Sequence, residues 1–513
     1  MSEFLSSVYQ HAPMLAVVIP LLAGPVALLF GNRSAAFYIS FVAAGLSFWL
    51  SLVLLYWVKD GTVLSYHIGG WAPPLGIEYR VDVANAFVLM IVSAMGFVML
   101  PYARTSIAKE IEERHHTLFY ACYLLCLTGL LGVTITGDAF NVFVFLEISS
   151  LSTYVLVALG ASKDKRALSA AYDYLVLGTI GATFFVIGLG FLYMATGTLN
   201  LVDLAQRIEP LADNRTVRAG FALIVIGMGL KLAVFPLHRW LPGAYAYAPS
   251  AVSAFLASTA TKVALYVAIR FMFSVYSAKF SFETLTLEYI ILPLAVIAMF
   301  AASFIAIYQQ NVKRLLAFSS VAQIGYMLLG ISLLNVTGVS AGLIHMFNHA
   351  VTKGALFLAV GAIVWRTGSA LLPNMAGLGK TMPWTSATIV IGGLSLIGIP
   401  STAGFVSKWA LLSASLEKGW WPIAFLIVAS SLIAVIYVWR VLEVLYLREP
   451  AENSQKGEAP LSLLIPTWIL ALASILFGFN GEFATQFTLV AGQQLLDGGF
   501  QGAQTLVIGV PGR

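Results

Sequence analysis

Residues 231–262 read KLAVFPLHRWLPGAYAYAPSAVSAFLASTATK, an apolar stretch that begins and ends with lysine and contains Pro236, Pro242 and Pro249. A proline has no backbone N–H, so a helix cannot continue its hydrogen-bond ladder through it. Irregular backbone at membrane depth is tolerated where protein or a water-filled cavity satisfies its polar groups. The stretch therefore predicts a broken membrane helix beside Lys231 and Lys262, and a simple packing kink is the alternative.

The composition of the chain indicates a membrane protein. The chain has 513 residues, of which 59% are hydrophobic and 10% are charged, and its mean hydropathy is +0.89. Soluble domains carry about 25% charged residues, so these charges cannot cover a soluble particle, and lipid is the solvent over most of the surface. The net charge of +5 fits the excess of Lys and Arg in cytoplasmic loops better than it fits nucleic-acid binding.

The sequence contains no sign of a cleaved leader, a disulfide framework, a cofactor or a metal site. Residues 1–13 lack a basic segment, so we expect the first apolar run to be retained as a span. Cys122 and Cys126 lie one helical turn apart in an apolar run and are expected to pack. Phosphate-loop, dinucleotide and paired Cys or His ligand motifs are absent from the sequence, so no cofactor is expected. The charged cluster AKEIEERHH (108–116) is expected to be a solvated loop.

Long apolar runs recur to the end of the chain, each near the about 20 residues that cross a bilayer as a helix. Barrel strands would alternate over about ten residues, so strands are excluded as the main element. We predict an all-α polytopic membrane protein with about fourteen transmembrane helices, two of them broken. The predicted spans are 13–31, 36–57, 82–101, 117–135, 138–160, 167–195, 217–238, 248–275, 286–308, 313–334, 337–365, 384–410, 420–447 and 461–479.

An internal repeat indicates two halves of opposite orientation. Residues 146–160 align with residues 316–330 at an offset of 170, and five of the fifteen positions agree. Five predicted spans separate the two starts, so the second copy enters from the other side, as in inverted-repeat transporters. Chance agreement between apolar helices is the competing explanation. The predicted units are an N-terminal three-helix segment (1–116), a first five-helix repeat (117–275), an inverted second repeat (286–447), and a last helix with a short tail (448–513).

Loop charges predict the orientation. With the N-terminus outside, the inside loops hold 14 Lys and Arg residues and the outside loops hold 9. The short connectors KDKR (163–166) and VKR (312–314) carry the most weight, because the positive-inside rule acts through short loops. We therefore predict both termini on the outer face of a bacterial cell membrane.

Several ionisable residues lie inside predicted spans, where each costs about 2.5–3.5 kcal/mol at a helix centre unless it is paired or hydrated. A second predicted broken helix, LSLIGIPSTAGFVSKW (394–409), contains Gly398, Pro400 and Gly404 shortly before Lys408. The alternative is a structural ion pair, for example between Glu147 and Lys231. Such a pair needs one acid and one base, whereas the set contains one acid and four lysines. The candidate site residues are Glu147, Lys231, Lys262, His345, His349, Lys353 and Lys408.

The types of these groups favour protons over cations as the species handled inside the membrane. His345, His349 and Lys353 are spaced i, i+4, i+8 and share one helix face, over about 12 Å at 1.5 Å per residue. Desolvated lysines give up protons more readily, so a balanced set can act as a relay. A hard cation prefers oxygen ligands, and this set offers one carboxylate. Either histidine alone could instead be a helix–helix hydrogen bonder.

Five long motifs of the chain occur in a fixed order: FLEISSLSTY (145–154), the 231–262 stretch, VKRLLAFSSVAQIGY (312–326), HMFNHAVTKGALFL (345–358) and GIPSTAGFVSKW (398–409). With them the chain resembles the antiporter-like membrane subunits shared by Mrp cation/proton antiporters and respiratory complex I, over roughly residues 80–450. The resemblance implies fourteen helices in two inverted five-helix repeats and several companion membrane subunits. It also implies a proton path through Glu147, Lys231, Lys262 and Lys408.

Within this family, the chain is most similar to the D-type subunit of the Mrp Na⁺/H⁺ antiporters. Only about 34 residues follow the last predicted span, too few for the long lateral helix of L-type subunits. M-type subunits usually have Glu where this chain has Lys408, and respiratory subunits commonly read PDAH where it has PGAY (242–245). Asp173-Tyr174 departs from the Lys-Tyr of several relatives and leaves proton uptake near Glu147 open.

Three functions remain open at this point. The first is a subunit of a multisubunit cation/proton antiporter, which is a secondary transporter and not an enzyme. The second is a proton-pumping subunit of a redox enzyme such as a complex I-like NADH-quinone oxidoreductase or a membrane hydrogenase. The third is the membrane subunit of an inorganic-carbon uptake complex. In each case the expected partners are other membrane subunits, the lipid bilayer and the transported ions, protons and, for the antiporter, Na⁺.

Overall fold

A computed structural model of the protein describes residues 9–449, 457–500 and 504–509. Lys456 and Arg513, which contributed to the loop-charge comparison, lie outside the described residues. The helices up to the second broken position are α1 (Ala12–Leu29), α2 (Arg33–Val58), α3 (Val83–Glu110), α4 (His116–Ile135), α5 (Ala139–Ala158), α6 (Arg166–Thr196), α7 (Leu201–Ile208), α8 (Arg215–Leu232), α9 (Trp240–Tyr247), α10 (Ser250–Ile269), α11 (Glu288–Ile307), α12 (Val312–Ser332) and α13 (Val336–Thr367). The remaining helices are α14 (Leu378–Thr381), α15 (Pro383–Ile397), α16 (Ala403–Glu417), α17 (Trp421–Leu447), α18 (Leu461–Phe479) and α19 (Glu482–Leu496).

Short turns and three strands complete the described elements. The 3₁₀ turns are Ile68–Gly70, Glu113–His115, Leu159–Ser162, Glu209–Leu211 and Leu372–Met375, and the π-helical turns are Arg270–Val275 and Lys279–Thr284. The strands are β1 (Val63–His67), β2 (Glu78–Val81) and β3 (Thr505–Ile508). They form one small sheet in the order β2-β1-β3, in which β1 pairs antiparallel with β2 and parallel with β3.

The fourteen-span prediction is confirmed in the described part of the chain. Twelve helices, namely α1–α6, α10–α13, α17 and α18, are long and apolar enough to cross a membrane. The two other predicted spans are the two predicted broken helices. The first consists of α8 and α9, separated at Ala233, whose φ is 60°. The second consists of α15 and α16, separated at Gly398, whose φ is 90°. The protein is therefore an all-α, multi-pass membrane protein.

Many helix starts are set by a local side chain. Asparagine and aspartate side chains can accept a hydrogen bond from the free N–H groups of a first helical turn. Seven described helices begin after such a residue, which accepts a backbone N–H in each case: Asn32, Asp82, Asp138, Asn200, Asn214, Asn311 and Asn335.

The two ends of the helix bundle are distinct surfaces. We call one the Lys163 face, where Lys163, Tyr247, Asn311 and Ser369 surround one cavity. We call the other the β face, because it carries the sheet. His11 bonds Tyr66 of β1 at 2.8 Å, and β3 pairs with β1. The described segments nearest the two termini therefore lie on the same face, as an even number of crossings requires.

Chain direction reverses between the two sets of five crossings. α5 ends at the Lys163 face, so α4 before it begins there. α11 also ends at the Lys163 face, beside Asn311, so it begins at the β face. The second set, α11 to α17, consequently runs opposite to the first, α4 to α10. The unit boundaries at 116, 275, 286 and 447 stay a prediction.

The structure differs from the sequence interpretation in two places. The solvated loop predicted for AKEIEERHH (108–116) is wrong at both of its ends, since α3 continues to Glu110, which is 8% exposed, and His116 is 2% exposed. Glu110 is buried because its carboxylate accepts hydrogen bonds from Ser250, far along the chain. The tail after the last predicted span contains α19 and β3, neither of which was predicted from the sequence.

A buried ion pair fixes the β face. The guanidinium of Arg270 lies 2.7 Å from the carboxylate of Asp82, and both side chains are 5% exposed. Arg270 also donates to the hydroxyls of Tyr266 and Ser274, at 3.1 and 3.2 Å. The ring of Phe500, in the C-terminal segment, covers the guanidinium at 5.3 Å. The pair thus joins α3 to the end of α10.

Candidate functional site

The first part of the candidate site lies between α5 and the end of α8. Lys231 is in the last turn of α8, and its Nζ donates to Ser150 Oγ at 2.6 Å. The same Nζ lies 3.5 Å from Glu147 Oε1. Glu147 and Ser150 are three residues apart on α5, so they face the same side of that helix. The ammonium therefore has one charged and one neutral acceptor next to each other.

Lys262 lies on α10 and is completely buried. Its Nζ donates to the carbonyl of Ala257 and to Thr261 Oγ1, the latter at 3.4 Å. Among the described residues, no carboxylate lies within 4 Å of this ammonium. Lys262 thus depends on local acceptors of its own helix for its hydrogen bonds.

The two predicted histidines stack on one face of α13. Their ring centroids are 6.4 Å apart and the ring planes differ by 14°. His345 Nε2 contacts Gln323 Oε1 at 2.8 Å, and its Nδ1 contacts Ser407 Oγ at 2.8 Å. An amide oxygen only accepts, so in this geometry Nε2 carries the proton and Nδ1 can accept from the serine. His349 is 3% exposed, and neither ring nitrogen has a partner among the described residues.

Lys353 follows His349 by one turn on the same face of α13 and is completely buried. Its Nζ donates to the carbonyl of Leu316 at 2.8 Å and to the hydroxyl of Ser319. Both acceptors belong to α12. The interaction therefore joins the histidine-bearing helix to its neighbour.

Lys408 lies on α16, just after the break of the second broken helix, and contacts the end of α15. Its Nζ donates to the carbonyls of Leu396 and Ile397 at 2.9 and 3.1 Å, and to Ser431 Oγ at 3.0 Å. The last carbonyls of a helix have no partner within it and form its negative end. The break after Ile397 therefore creates the acceptors that hold this lysine. The ring of Tyr326 lies 4.6 Å from the same ammonium.

α12 contacts several of the candidate residues, although no site residue was predicted in it from the sequence. α12 is buried along its length except at Arg314. It provides the acceptors of Lys353, the glutamine that contacts His345 and the tyrosine under Lys408. Gln323 and Tyr326 were visible as polar groups in the VAQIGY part of one motif. The site serines carried no signal, because serine is common in membrane helices.

The structure brings some predicted residues together and leaves others apart. Glu147 contacts Lys231, His345 stacks with His349, and Lys353 continues that face. No direct hydrogen bond between described residues joins Lys231 to Lys262, or Lys262 to His349. The arrangement is one carboxylate at one end and a row of basic groups beyond it. Such a row can hold and pass protons, and its charge repels a dehydrated metal cation.

Comparison with known proteins identifies the family. Residues 136–434 match the family model described as NADH:quinone oxidoreductase/Mrp antiporter, TM. The chain is 38% identical to the N-type subunit of the NADH-quinone oxidoreductase of Desulforudis audaxviator, covering 92% of this chain and 96% of the relative. It is 30% identical to the D-type subunit of the Na⁺/H⁺ antiporter of Alkalihalophilus pseudofirmus, covering 94% and 97%. A chain in the structure of the Mrp complex from Dietzia sp. matches with a TM-score of 0.86 at 25% identity, covering 96% of this chain and 98% of that one. The chain therefore belongs to the family of antiporter-like membrane subunits shared by NADH:quinone oxidoreductases and Mrp antiporters.

Proposed function

We propose that this chain is the proton-translocating D-type subunit of a multisubunit Na⁺/H⁺ antiporter in a bacterial cell membrane. The observation that carries the proposal is the contact of Lys231 with Glu147 at one end of a buried row of basic groups. The 30% identity to the D-type subunit of an Na⁺/H⁺ antiporter, over nearly the whole chain, supports the antiporter assignment.

In this proposal, protons move along the buried ionisable groups. Lys231 exchanges between Glu147 and Ser150, which are both within reach of its ammonium. Water carries the proton over the steps where no protein hydrogen bond exists, because a water molecule can both donate and accept. The relay groups are Glu147, Lys231, Lys262, the stripe of His345, His349 and Lys353 on one face of α13, and Lys408.

Other membrane subunits are part of the proposal. Exposed large apolar side chains, such as Trp384, Trp421 and Phe425, cover the membrane-facing surface and suit either lipid or a neighbouring subunit. The relay groups offer a single carboxylate, that of the half-buried Glu147, so the Na⁺ path lies in another subunit or between subunits. We expect the purified chain alone, in liposomes with a proton gradient, to show no Na⁺/H⁺ exchange. Robust exchange by the single chain would contradict the partner requirement.

A redox-driven proton pump is the second candidate function. The specific observation that favours it is the 38% identity to the N-type subunit of an NADH-quinone oxidoreductase. Under this candidate, the same relay would be driven by electron transfer in companion subunits, and the flanking genes would encode redox subunits.

One experiment separates the two candidates. The native complex, purified through a tag on this chain, is reconstituted into liposomes with a pH-sensitive dye. An antiporter collapses an imposed proton gradient when Na⁺ is added and does so without an electron donor. A redox pump builds a gradient when an electron donor and a quinone are added and does not respond to Na⁺. A response only to the electron donor would overturn the antiporter proposal.

A further inference from the structure

Two charged residues from elsewhere in the chain hold the junction between α9 and α10, which lies within residues 231–262. The junction consists of Ala248, Pro249 and Ser250, where α9 ends and α10 begins. Glu110, at the end of α3, and Lys313, in the first turn of α12, reach it from two sides. They are 8% and 3% exposed. We call these two residues the junction clamp.

Glu110 caps the start of α10. Its carboxylate accepts from the backbone N–H of Ser250 at 2.8 Å and from its hydroxyl at 3.0 Å, and Ser106 Oγ donates to it as well. The residue before the helix is Pro249, which provides no side-chain cap of its own. The first N–H groups of a helix lack internal partners and form its positive end. A carboxylate from α3 therefore supplies what the local sequence lacks.

Lys313 acts on the other side of the junction. Its Nζ donates to the carbonyl of Ala248 at 3.2 Å. That carbonyl follows the last residue of α9, at the negative end of the short helix. The acid thus sits at a helix start and the base at a helix end, so both charges complement the two helices that meet at Pro249.

The clamp borders a water-accessible cavity. Glu110 and Lys313 line a space of about 460 Å³ that also includes exposed residues of the Lys163 face, such as Lys163 and Gly368. The same cavity is lined by Ala248 and Pro249 themselves. Solvent from this face therefore reaches the junction.

The clamp also connects three parts of the proposed relay. α8 and α9 form the broken helix that contains Lys231, and α10 carries Lys262 about three turns after the junction. α12, which contributes Lys313, also provides both acceptors of Lys353. A shift of the junction would change the position of Lys262 relative to both neighbours, because packed interiors transmit strain.

We propose that Glu110 and Lys313 are positioning residues of the relay, which hold the α9–α10 junction so that Lys262 stays in line between Lys231 and the α13 groups. This inference rests on the proposed proton relay but not on which complex drives it. Neither residue needs to carry a proton itself.

The test uses Glu110→Gln and Lys313→Gln in the whole complex. At position 110 glutamine keeps the shape of glutamate and removes its charge, and at position 313 it removes the ammonium and shortens the side chain. We expect complexes of normal composition whose maximal transport rate falls about tenfold or more, since a misplacement of about 1 Å can cost that much. The apparent KM for the driving ion or electron donor should stay within about twofold, because no ligand contact is removed. Glu110→Asp should recover part of the rate.

A second readout follows the junction directly. Backbone amides over 250–254 should exchange with deuterium about tenfold faster in both variants, because the junction opens more often. Glu110→Gln removes the charge that complements the positive end of α10, and Lys313→Gln removes the donor to the carbonyl of Ala248. The matched control is Glu113→Gln, which removes an exposed carboxylate from the neighbouring turn and should change neither readout. The double variant should lose no more than either single variant, since both act on one junction.

Two results would overturn the inference. One is a normal transport rate in an assembled Glu110→Gln complex, whether or not amide exchange increases. The other is a rate loss with unchanged exchange over 250–254, which would mean that Glu110 acts without moving the junction. The transport rates of both variant complexes can be measured with Na⁺ or with an electron donor. Failure of the antiporter assignment therefore remains distinguishable from failure of the clamp.

Discussion

Lys408 on α16 donates a hydrogen bond to the carbonyl of Ile397, the last residue of α15, at 3.1 Å. A charged side chain thus occupies the break of a membrane helix and satisfies backbone groups that lipid cannot satisfy. Its other acceptors are a second freed carbonyl and the hydroxyl of Ser431. With no carboxylate among the described residues paired to it, the ammonium is held by these dipoles and by the ring of Tyr326.

We predict that Lys408 is needed for transport as a group that binds and releases a proton. Lys408→Gln should lower the transport rate about 100-fold or more, the usual size of a proton-transfer contribution. Lys408→Arg keeps the charge and the donors but does not release its proton in proteins, so the complex should assemble and remain inactive. The measurement is ion exchange by the reconstituted complex, with subunit composition checked by gel.

The matched control is Lys418→Gln. Lys418 follows the same helix and pairs with Glu288 at 3.0 Å near the surface, with 27% of its side chain exposed. We expect its loss to change the rate by less than about twofold, since Lys418 is not a relay group and lies ten residues beyond Lys408, about 15 Å along the helix. Near-normal transport by the Lys408→Arg complex would refute a proton-binding role and leave a purely structural one.

The number of crossings and the two breaks could be predicted from the sequence because both depend on local composition. Apolar runs of membrane length and the Pro and Gly residues around Pro236 and Gly398 are local signals. The burial of Glu110 could not be predicted, since its partner Ser250 lies 140 residues away. The pairing of β1 with β3 could not be predicted for the same reason, because β3 belongs to the C-terminal segment.

Candidate residues were likewise easier to name than their partners. A charge inside an apolar run stands out in sequence, and all seven candidates lie on crossing helices or their halves. What each ammonium contacts depends on helix packing: Lys353 bonds α12 and Lys408 bonds α15 and α17. Backbone carbonyls and serines supply these acceptors, and neither is distinctive in a sequence.

The orientation of the protein is a separate prediction. The described segments nearest the termini share the β face, and the loop charges predict that this face is outside. A membrane-impermeant thiol reagent added to whole cells should label a cysteine introduced in the C-terminal tail. It should spare a cysteine at position 164 until the membrane is permeabilised. The native Cys122 and Cys126 are buried and should remain unlabelled. The reverse pattern would invert the orientation.

The Asp82–Arg270 pair should contribute strongly to stability. Asp82→Asn leaves the guanidinium of Arg270 buried without its counter-charge, and breaking such a pair costs about 3–5 kcal/mol. Asp203→Asn is the matched control, since it breaks the more exposed pair with Arg207, whose value is about 0.3–0.5 kcal/mol. Denaturant titration of the purified chain in detergent, followed by tryptophan fluorescence, compares the two. Equal losses would show that the buried pair is not important for the fold.

We predict that the Glu147–Lys231 ion pair opens and closes during transport and is not a fixed structural contact. The ammonium of Lys231 has two acceptors within reach, the carboxylate at 3.5 Å and Ser150 Oγ at 2.6 Å, and opening of the ion pair leaves the serine as its neutral support. Glu147→Ala and Lys231→Ala should each abolish transport in complexes that still assemble. Glu147→Asp should keep part of the rate, because it retains the charge one methylene away. A structural ion pair has a different signature: the single variants would misassemble, and exchanging the charges between the two positions would restore both assembly and transport. The measurement is ion exchange per assembled complex in all four variants, and near-normal exchange by Glu147→Ala would end the relay hypothesis, since no other carboxylate among the described residues contacts Lys231.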